Sequence, residues 1–287
     1  MGNTDIPGLD VLVCRINTLF TLPDIYARLV EAVNHPHTSF EDIGTIIASD
    51  VGLAARLLRI ANSALFNFPG EVDSIGRAVT IIGTEQLRDL VLATTVTRLF
   101  REIPIGTINM RSFWEHSVAC GIVARNIATY RRESNFERYY VLGLLHDIGR
   151  LVLVMELPDV MSALFIDEDE SELQFHEREQ SVLGYDHAAV GSALLEMWRI
   201  PQSIYEPTAC HHRPQSSRHY PLESAVVHTA DIIVHSLRIG GTGEYYVPPL
   251  NSVAWERLDI SEQSLAGIIE HSEKQFNEVV DDILAED

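Results

Sequence analysis

The chain has 287 residues, 46% of them hydrophobic, with 21 Lys and Arg against 41 Asp and Glu, a formal net charge of −20. This is enough apolar chain to bury a core in one large domain or two lobes, which excludes a disordered or collagen-like polymer. A surface this negative repels phosphate backbones and anionic membranes, so neither nucleic acid nor membrane is expected as a partner. Lys274 is the only lysine, so nearly all positive charge is arginine. The stretch from Met1 to Asp10 has no basic region and no long apolar run, and Ile6 stands where N-myristoylation needs Ser or Thr. No segment approaches the ~18 uninterrupted apolar residues of a membrane helix. Cys14, Cys120 and Cys210 form no close pair and read as buried free thiols in a reducing compartment, so a cytoplasmic protein is expected.

Helical periodicity runs through the chain. Ile25, Leu29 and Val33, with Tyr26 and Val30, repeat at i, i+4 as an amphipathic helix. Leu22-Pro23-Asp24 opens it, where the missing Pro N–H costs nothing, and His35-Pro36-His37 ends it. Thr38 or Ser39 caps the next helix, over 40–48, and Asp50 caps one over 51–64 with apolar Leu53, Leu57, Leu58 and Ile60. After a loop at Asn67-Phe68-Pro69-Gly70, Ser74 caps 75–82 and Gly83 stops it. Thr84 and Glu85 begin a long helix to Phe100. Ile103-Pro104-Ile105-Gly106 then breaks the pattern, which divides the chain into an N-terminal lobe, 1–104, and a second lobe, 105–287.

The second lobe predicts helices over 111–131 and 136–154, the latter broken near Leu145 to Gly149. Asp167-Glu168-Asp169-Glu170 reads as a solvated linker, since it lacks the Gly and closing Glu of a calcium loop. Helices follow over 175–183, 186–198, 202–211 and 222–238. Gly240-Gly241-Thr242-Gly243 reads as a mobile loop rather than a phosphate cradle, and Ser261 caps the last helix. With no alternating strands and no repeats, the predicted class is all-α.

Several histidines sit where chemistry can be built. His116 lies early on a helix, His146-Asp147 interrupts an apolar run from Val141 to Leu153, His187 begins a helix, His211-His212 ends one, and Asp231 lies in an apolar helix. Helices of a bundle can bring such residues to one interior point. An imidazole and a carboxylate in an apolar run are costly to bury unless paired or metal-bound. A mixed His/Asp set suits one or two divalent ions (Fe, Mn, Zn or Mg), whose bound water becomes available as hydroxide near neutral pH, for example to hydrolyse a phosphate ester. The same residues also fit a metal-free core in which Asp147 accepts from His116 or His146. His228 and His235 flank Asp231 at helical spacing and can support it. Asp186 reads as an N-cap, and His35, His37, His176, His219 and His271 as loop or surface residues.

The chain resembles the HDOD family, the HD-related output domain of bacterial signalling proteins. In the first lobe the resemblance rests on Leu22-Pro23, the run from Asp50 through Val51, Gly52, Leu53, Ala54, Ala55, Arg56, Leu57, Leu58, Arg59, Ile60, Ala61, Asn62 and Ser63 to Ala64, then Ser74-Ile75, Ala78-Val79 and Ile82-Gly83. In the second it rests on His116-Ser117, the segment 143–151, His187 with Gly191 and Leu195, Trp198-Arg199-Ile200-Pro201, and His211-His212. It covers about 18–216. The resemblance implies a two-lobed helical module descended from HD phosphohydrolases, in a family linked to signal transduction and acting in many members through protein contacts without catalysis. It also implies that His116, His146, Asp147, His187, His211, His212 and Asp231 are similar to the two-metal set of the HD-GYP cyclic-dinucleotide phosphodiesterases, with Asp147 bridging.

Two departures bear on activity. Arg150 stands where that relative has Lys, and the Gly-Tyr-Pro segment after the His pair is replaced by Arg213-Pro214-Gln215-Ser216. Arg is a planar fork rather than a compact ammonium, so the exchange is not neutral. The expectation is therefore a regulatory module that acts on a protein partner or ligand, basic in character, with homo-oligomerisation open. The alternative is a metal-dependent phosphohydrolase in which Asp147 and Asp231 position the attacking water and Arg150 steadies developing charge.

Overall fold

The structure, a computed structural model, describes residues 6–66, 70–101, 108–166, 173–241 and 246–284. The loop at 67–69, the break at 103–106, the acidic stretch 167–170 and residues 242–243 therefore lie outside the described residues, and the proposed lobe boundary falls there with them. Among the described residues the secondary structure is helical, with no strand. In chain order the helices are α1 (Leu9–Leu19), α2 (Asp24–Asn34), α3 (Phe40–Ala48), α4 (Val51–Asn62), α5 (Ile75–Ile82), α6 (Thr84–Arg101), α7 (Met110–Tyr130) and α8 (Phe136–Leu145). They continue as α9 (Ile148–Glu156), α10 (Pro158–Ile166), α11 (Phe175–Leu183), α12 (His187–Met197), α13 (Gln202–Cys210), α14 (Pro221–Leu237), α15 (Ser252–Leu258) and α16 (Glu262–Leu284).

Local chemistry sets most boundaries. Ser39 accepts from the Asp42 N–H while the Asp42 carboxylate accepts from the Ser39 N–H, a reciprocal capping box. Asp50 caps Leu53, and Ser74 caps Arg77. Gly83 ends α5 at φ 92°, in the region glycine enters without steric penalty. The helix after Asp50 stops at Asn62, two residues short of the expected Ala64. There the Asn62 amide clasps Val72, donating to its carbonyl at 2.9 Å and accepting from its N–H at 2.7 Å, and Ser63 turns extended. Helices α1, α10 and α15 are additional to the sequence reading.

α7 is the axis of the molecule: from Phe113 to Ala128 every residue except Glu115 is buried. It packs against α8, α14 and α16. Its approach to α8 is backbone to backbone, since a Cβ on Gly143 would lie 2.5 Å from the Cys120 carbonyl oxygen and 2.6 Å from the Gly121 nitrogen. α9 meets α12 in the same way, with Gly149 facing the His187 carbonyl and the Gly191 nitrogen. Helices α2 to α6 form the N-terminal layer, tied to α8 by buried Asp89, which takes Arg88 at 2.8 Å and Arg138 at 3.4 Å. α1 crosses to the other half and rests on α12, where Tyr185 donates to the Pro7 carbonyl and Trp198 to that of Phe20.

Three expectations are corrected. Cys14 is exposed, on the outer face of α1, whereas Cys120 and Cys210 are buried. His176 is buried rather than on the surface, because α11 turns it inward against the second half. Gly240 and Gly241 are docked rather than mobile: Gly240, at φ 62°, abuts the α7 backbone at Ser112 and His116, and the Gly241 N–H donates to the Ser112 carbonyl at 3.1 Å.

Candidate metal centre

The helices place their polar residues by their ends. His146 is the C-cap of α8 and Asp147 the N-cap of α9, so the pair occupies the break between two helices. His187 opens α12 behind its cap, Asp186, which accepts from the Ala189 N–H. His211 closes α13, and His212 follows it. His116 and Cys120, one turn apart, share a face of α7, and Asp231 and His235 share a face of α14.

These side chains meet at one buried point. His146, His187 and His211 are fully buried, and Asp147 is 2% exposed. The Asp147 Oδ1 lies 3.1 Å from His187 Nε2 and 3.6 Å from the Nε2 of both His146 and His211. The Asp231 Oδ1 lies 3.2 Å from the Nε2 of His116 and of His235, and 3.6 Å from His146 Nε2. Cys120 Sγ is 3.4 Å from His116 Nε2. Three overlapping groups of donor atoms result: His116, Cys120, His146 and Asp231; His146, Asp147 and His211; and His187, His211 and His212, each gathered within 4.8 Å.

Tautomers follow from the outer contacts. His146 Nδ1–H donates to the Gly143 carbonyl and His211 Nδ1–H to that of Thr208, each at 2.7 Å. Their Nε2 atoms therefore carry lone pairs in the neutral ring. Neither Nε2 has a hydrogen-bond partner, and neither does Asp147 Oδ1, although all three are buried. With both rings neutral, lone pairs from two imidazoles and a carboxylate face one another. Burial opposes protonation of His146, but Asp147 and Asp231 raise its pKa, so either a proton on Nε2 or a cation relieves that arrangement, and a divalent metal matches the donor set. The separations are comparable with those of a metal site: tetrahedral coordination at about 2.0–2.3 Å per bond puts donors roughly 3.3–3.8 Å apart.

Charge is balanced tightly. Burial opposes ionisation of Asp147, but Arg150, His146 and His187 hold its pKa well below the carboxylate range. Asp231 behaves alike, with His235, His116 and His146 outweighing burial. At His187 burial and Arg150 act against protonation, yet Glu179 and Asp147 prevail and push the pKa up to about 10. Burial, reinforced by His211, His187 and His176, drives His212 well below its ordinary value, so that ring is neutral. Arg150 is 1% exposed, with Nε 3.5 Å from Asp147 Oδ2, Nη2 3.2 Å from His187 Nε2, and its guanidinium over the Phe175 ring.

The structure brings together all of His116, His146, Asp147, Arg150, His187, His211, His212 and Asp231. His235 contacts Asp231 directly. His228 stands one layer out, donating from Nδ1 to the His211 carbonyl at 2.7 Å and accepting from the Asn251 N–H at 3.0 Å. His219 is exposed and pairs with Glu206. Three residues are additional. Glu179, fully buried, accepts from His187 Nδ1 at 2.5 Å and from its backbone N–H at 2.9 Å, which orients the ring. His176 stacks on His212 with centroids 4.1 Å apart and planes 6° from parallel. Cys120 adds a sulfur. Its spacing of four from His116 was a usable signal; Glu179, beside Arg178 in a charged helix, offered none.

An all-helical fold with an HD-like buried His/Asp cluster defines the class. The HDOD domain model matches residues 19–214, and the chain belongs to the HDOD family. An HDOD domain protein from Geobacter sulfurreducens superposes with a TM-score of 0.79 at 24% identity, covering 96% of this chain and 98% of that one. A Shewanella amazonensis SB2B structure named "Putative phosphohydrolase" superposes with a TM-score of 0.73 at 25% identity, covering 95% and 97%. A Treponema pallidum (strain Nichols) protein named only as uncharacterized is 24% identical over 253 residues, covering 88% of this chain and 48% of its own length. The chain thus spans about half the length of that curated relative. No helix among the described residues is long and apolar enough to cross a membrane.

Proposed function

We propose that this chain is a regulatory HDOD module, cytoplasmic and built of lobes 1–104 and 105–287, whose His/Asp centre holds a divalent cation as part of the scaffold. The buried, partnerless Nε2 atoms of His146 and His211 facing Asp147 Oδ1 support the cation. His116, Cys120, His146 and Asp231 on one side, and Asp147, His187, His211 and His212 on the other, would hold it. A bound ion of this kind supplies Lewis acidity and lowers the pKa of a coordinated water.

The burial of Arg150 carries the regulatory reading. A guanidinium that steadies charge on a phosphodiester must face the substrate. Arg150 instead faces inward, at 1% exposure, toward Asp147 and His187. It completes the centre's own charge balance. With a net charge of −20, the surface suits a basic protein partner through salt-sensitive contacts. The phosphohydrolase reading draws on one observation of its own, that the whole donor set from His116 to Asp231 is retained and gathered.

Elemental analysis of the purified protein, paired with a panel of phosphodiesters including a cyclic dinucleotide in the presence of Mn²⁺ or Fe²⁺, separates the two. The expected result is bound metal without turnover. Turnover that disappears in Asp147→Ala overturns the regulatory reading, and absence of metal overturns the cation.

A further inference from the structure

Another buried charge lies further along α7, beyond Cys120. Arg125, on α7, is 8% exposed, and its guanidinium is sandwiched between Phe66 and Phe136, 5.2 and 5.1 Å from the ring centroids. Those two faces attract the cation but accept nothing from its N–H groups in the plane of the fork. Its Nε is buried without a hydrogen-bond partner, and among the described residues no carboxylate lies within ion-pair distance. Burial lowers its pKa, and Glu137 offsets this only in part from longer range. A buried charge left in this condition is costly unless something else meets it.

Something else has room to do so. Arg125 lines a cavity of about 570 Å³ that opens to solvent between the end of α4, the second half of α7 and the first half of α16. The volume is within the range of small-molecule sites. Leu65, Phe66 and Ile268 give it apolar wall, while Thr129, Tyr130 and Ser264 bring hydroxyls. In a chain with 41 acidic residues, none of the described residues lining this cavity is acidic. The Asn126 amide beside it is spent, donating to Ser272 and Gln275, which pins α16 to α7. Arg125 Nε is therefore a buried donor beside the cavity whose bond is unmade.

We propose that this cavity is a binding site for a small organic anion, one whose single phosphate or carboxylate head meets the edge of the Arg125 guanidinium and whose flat apolar body lies against Leu65, Phe66 and Ile268. A planar fork matches either oxyanion head bidentately. A polyanion does not fit, because one arginine cannot offset the repulsion of a chain carrying −20. The site is independent of the metal centre and of whether that centre is catalytic.

Phenyl phosphate and benzoate serve as probes, with uncharged benzyl alcohol as control, in calorimetric titration of the full chain and in NMR of the arginine Nε–H signals. The charged probes are expected to bind with Kd of about 1 mM or tighter and to shift the Arg125 Nε–H resonance, while benzyl alcohol does not. Arg125→Gln is expected to weaken binding about tenfold or more. Gly267→Trp tests the site without touching Arg125, since Gly267 lines the cavity and a Cβ there meets nothing within 4 Å; it is expected to abolish binding in a folded protein. Absence of binding by both charged probes at ~10 mM, or binding that survives Gly267→Trp, overturns the proposal.

Discussion

Replacing Asp147 by Asn tests the centre most directly, because the substitution keeps the shape and removes the charge. Asp147 is 2% exposed, and its two oxygens face His146, His187, His211 and Arg150 within 3.1–3.6 Å. Removing one partner of a buried ionic group costs about 3–5 kcal/mol. In a large domain each kcal/mol moves the midpoint by roughly 2–4 °C, so Asp147→Asn is expected to melt roughly 6–20 °C lower even with chelator present. An ion at about a hundred times its Kd adds about 2.7 kcal/mol to the wild type. The wild type should therefore melt roughly 5–11 °C higher with metal than with chelator, and the variant should show no such difference. Calorimetry of both proteins, with and without chelator, gives the four midpoints required. A metal-dependent shift in Asp147→Asn equal to that of the wild type refutes the placement of the ion at this carboxylate. A variant that melts within ~2 °C of the wild type in chelator refutes the stated cost of the buried charge.

Cobalt loading should produce visible d–d bands together with a near-ultraviolet sulfur-to-cobalt charge-transfer band, and Cys120→Ser should remove only the latter; its persistence excludes Cys120 as a ligand. Glu206 should supply pH-dependent stability. Burial raises its pKa, but hydrogen bonds from His219, Ser217 and the Arg218 N–H bring it down from 4.5 to about 2. A carboxylate depressed in the folded state stabilises above its unfolded pKa and loses that contribution as pH falls through the folded one. Glu206→Gln should thus cost about 2–3 kcal/mol at pH 7 and progressively less from pH 4.5 to pH 2, as read from denaturation midpoints. Gly149→Ala should destabilise by about 1–3 kcal/mol, because its Cβ meets the His187 carbonyl and the Gly191 nitrogen. Gly267→Ala, into open space, should be neutral or stabilise by up to about 1 kcal/mol; equal effects of the two on denaturant midpoints contradict the close crossing.

Much of this was legible in the sequence, because helix ends are set by neighbours in the chain. Ser39, Asp50, Ser74 and Asp186 act as caps three residues before the N–H they serve, and each was readable from residue type and position. The convergence of His116, His146, Asp147, His187, His211, His212 and Asp231 was readable from polar residues in apolar helices and from the HDOD resemblance. Burial that depends on distant partners was not. His176 and Glu179 share a helix with Arg178 and Glu177 and look like a solvated face, yet α11 lies against α12 and turns both inward. Cys14 erred in the other direction, since a thiol beside Val13 and Ile16 takes the solvent face of the same short helix. Arg125 also gave no sign, because the rings around it come from α8 and from the residues after α4.

The backbone-to-backbone crossings at Gly143 and Gly149 have a consequence for how an ion would be acquired. The segments that carry His146, Asp147 and His187 are locked by main-chain contact, with no intervening side chain to rearrange. Their relative positions are thus a property of the folded polypeptide before any metal arrives. Capture then resembles the filling of a rigid socket more than the folding of a zinc finger around its ion. A lineage can accordingly exchange the occupant, ion for guanidinium or thiol for imidazole, while the surrounding architecture is left untouched.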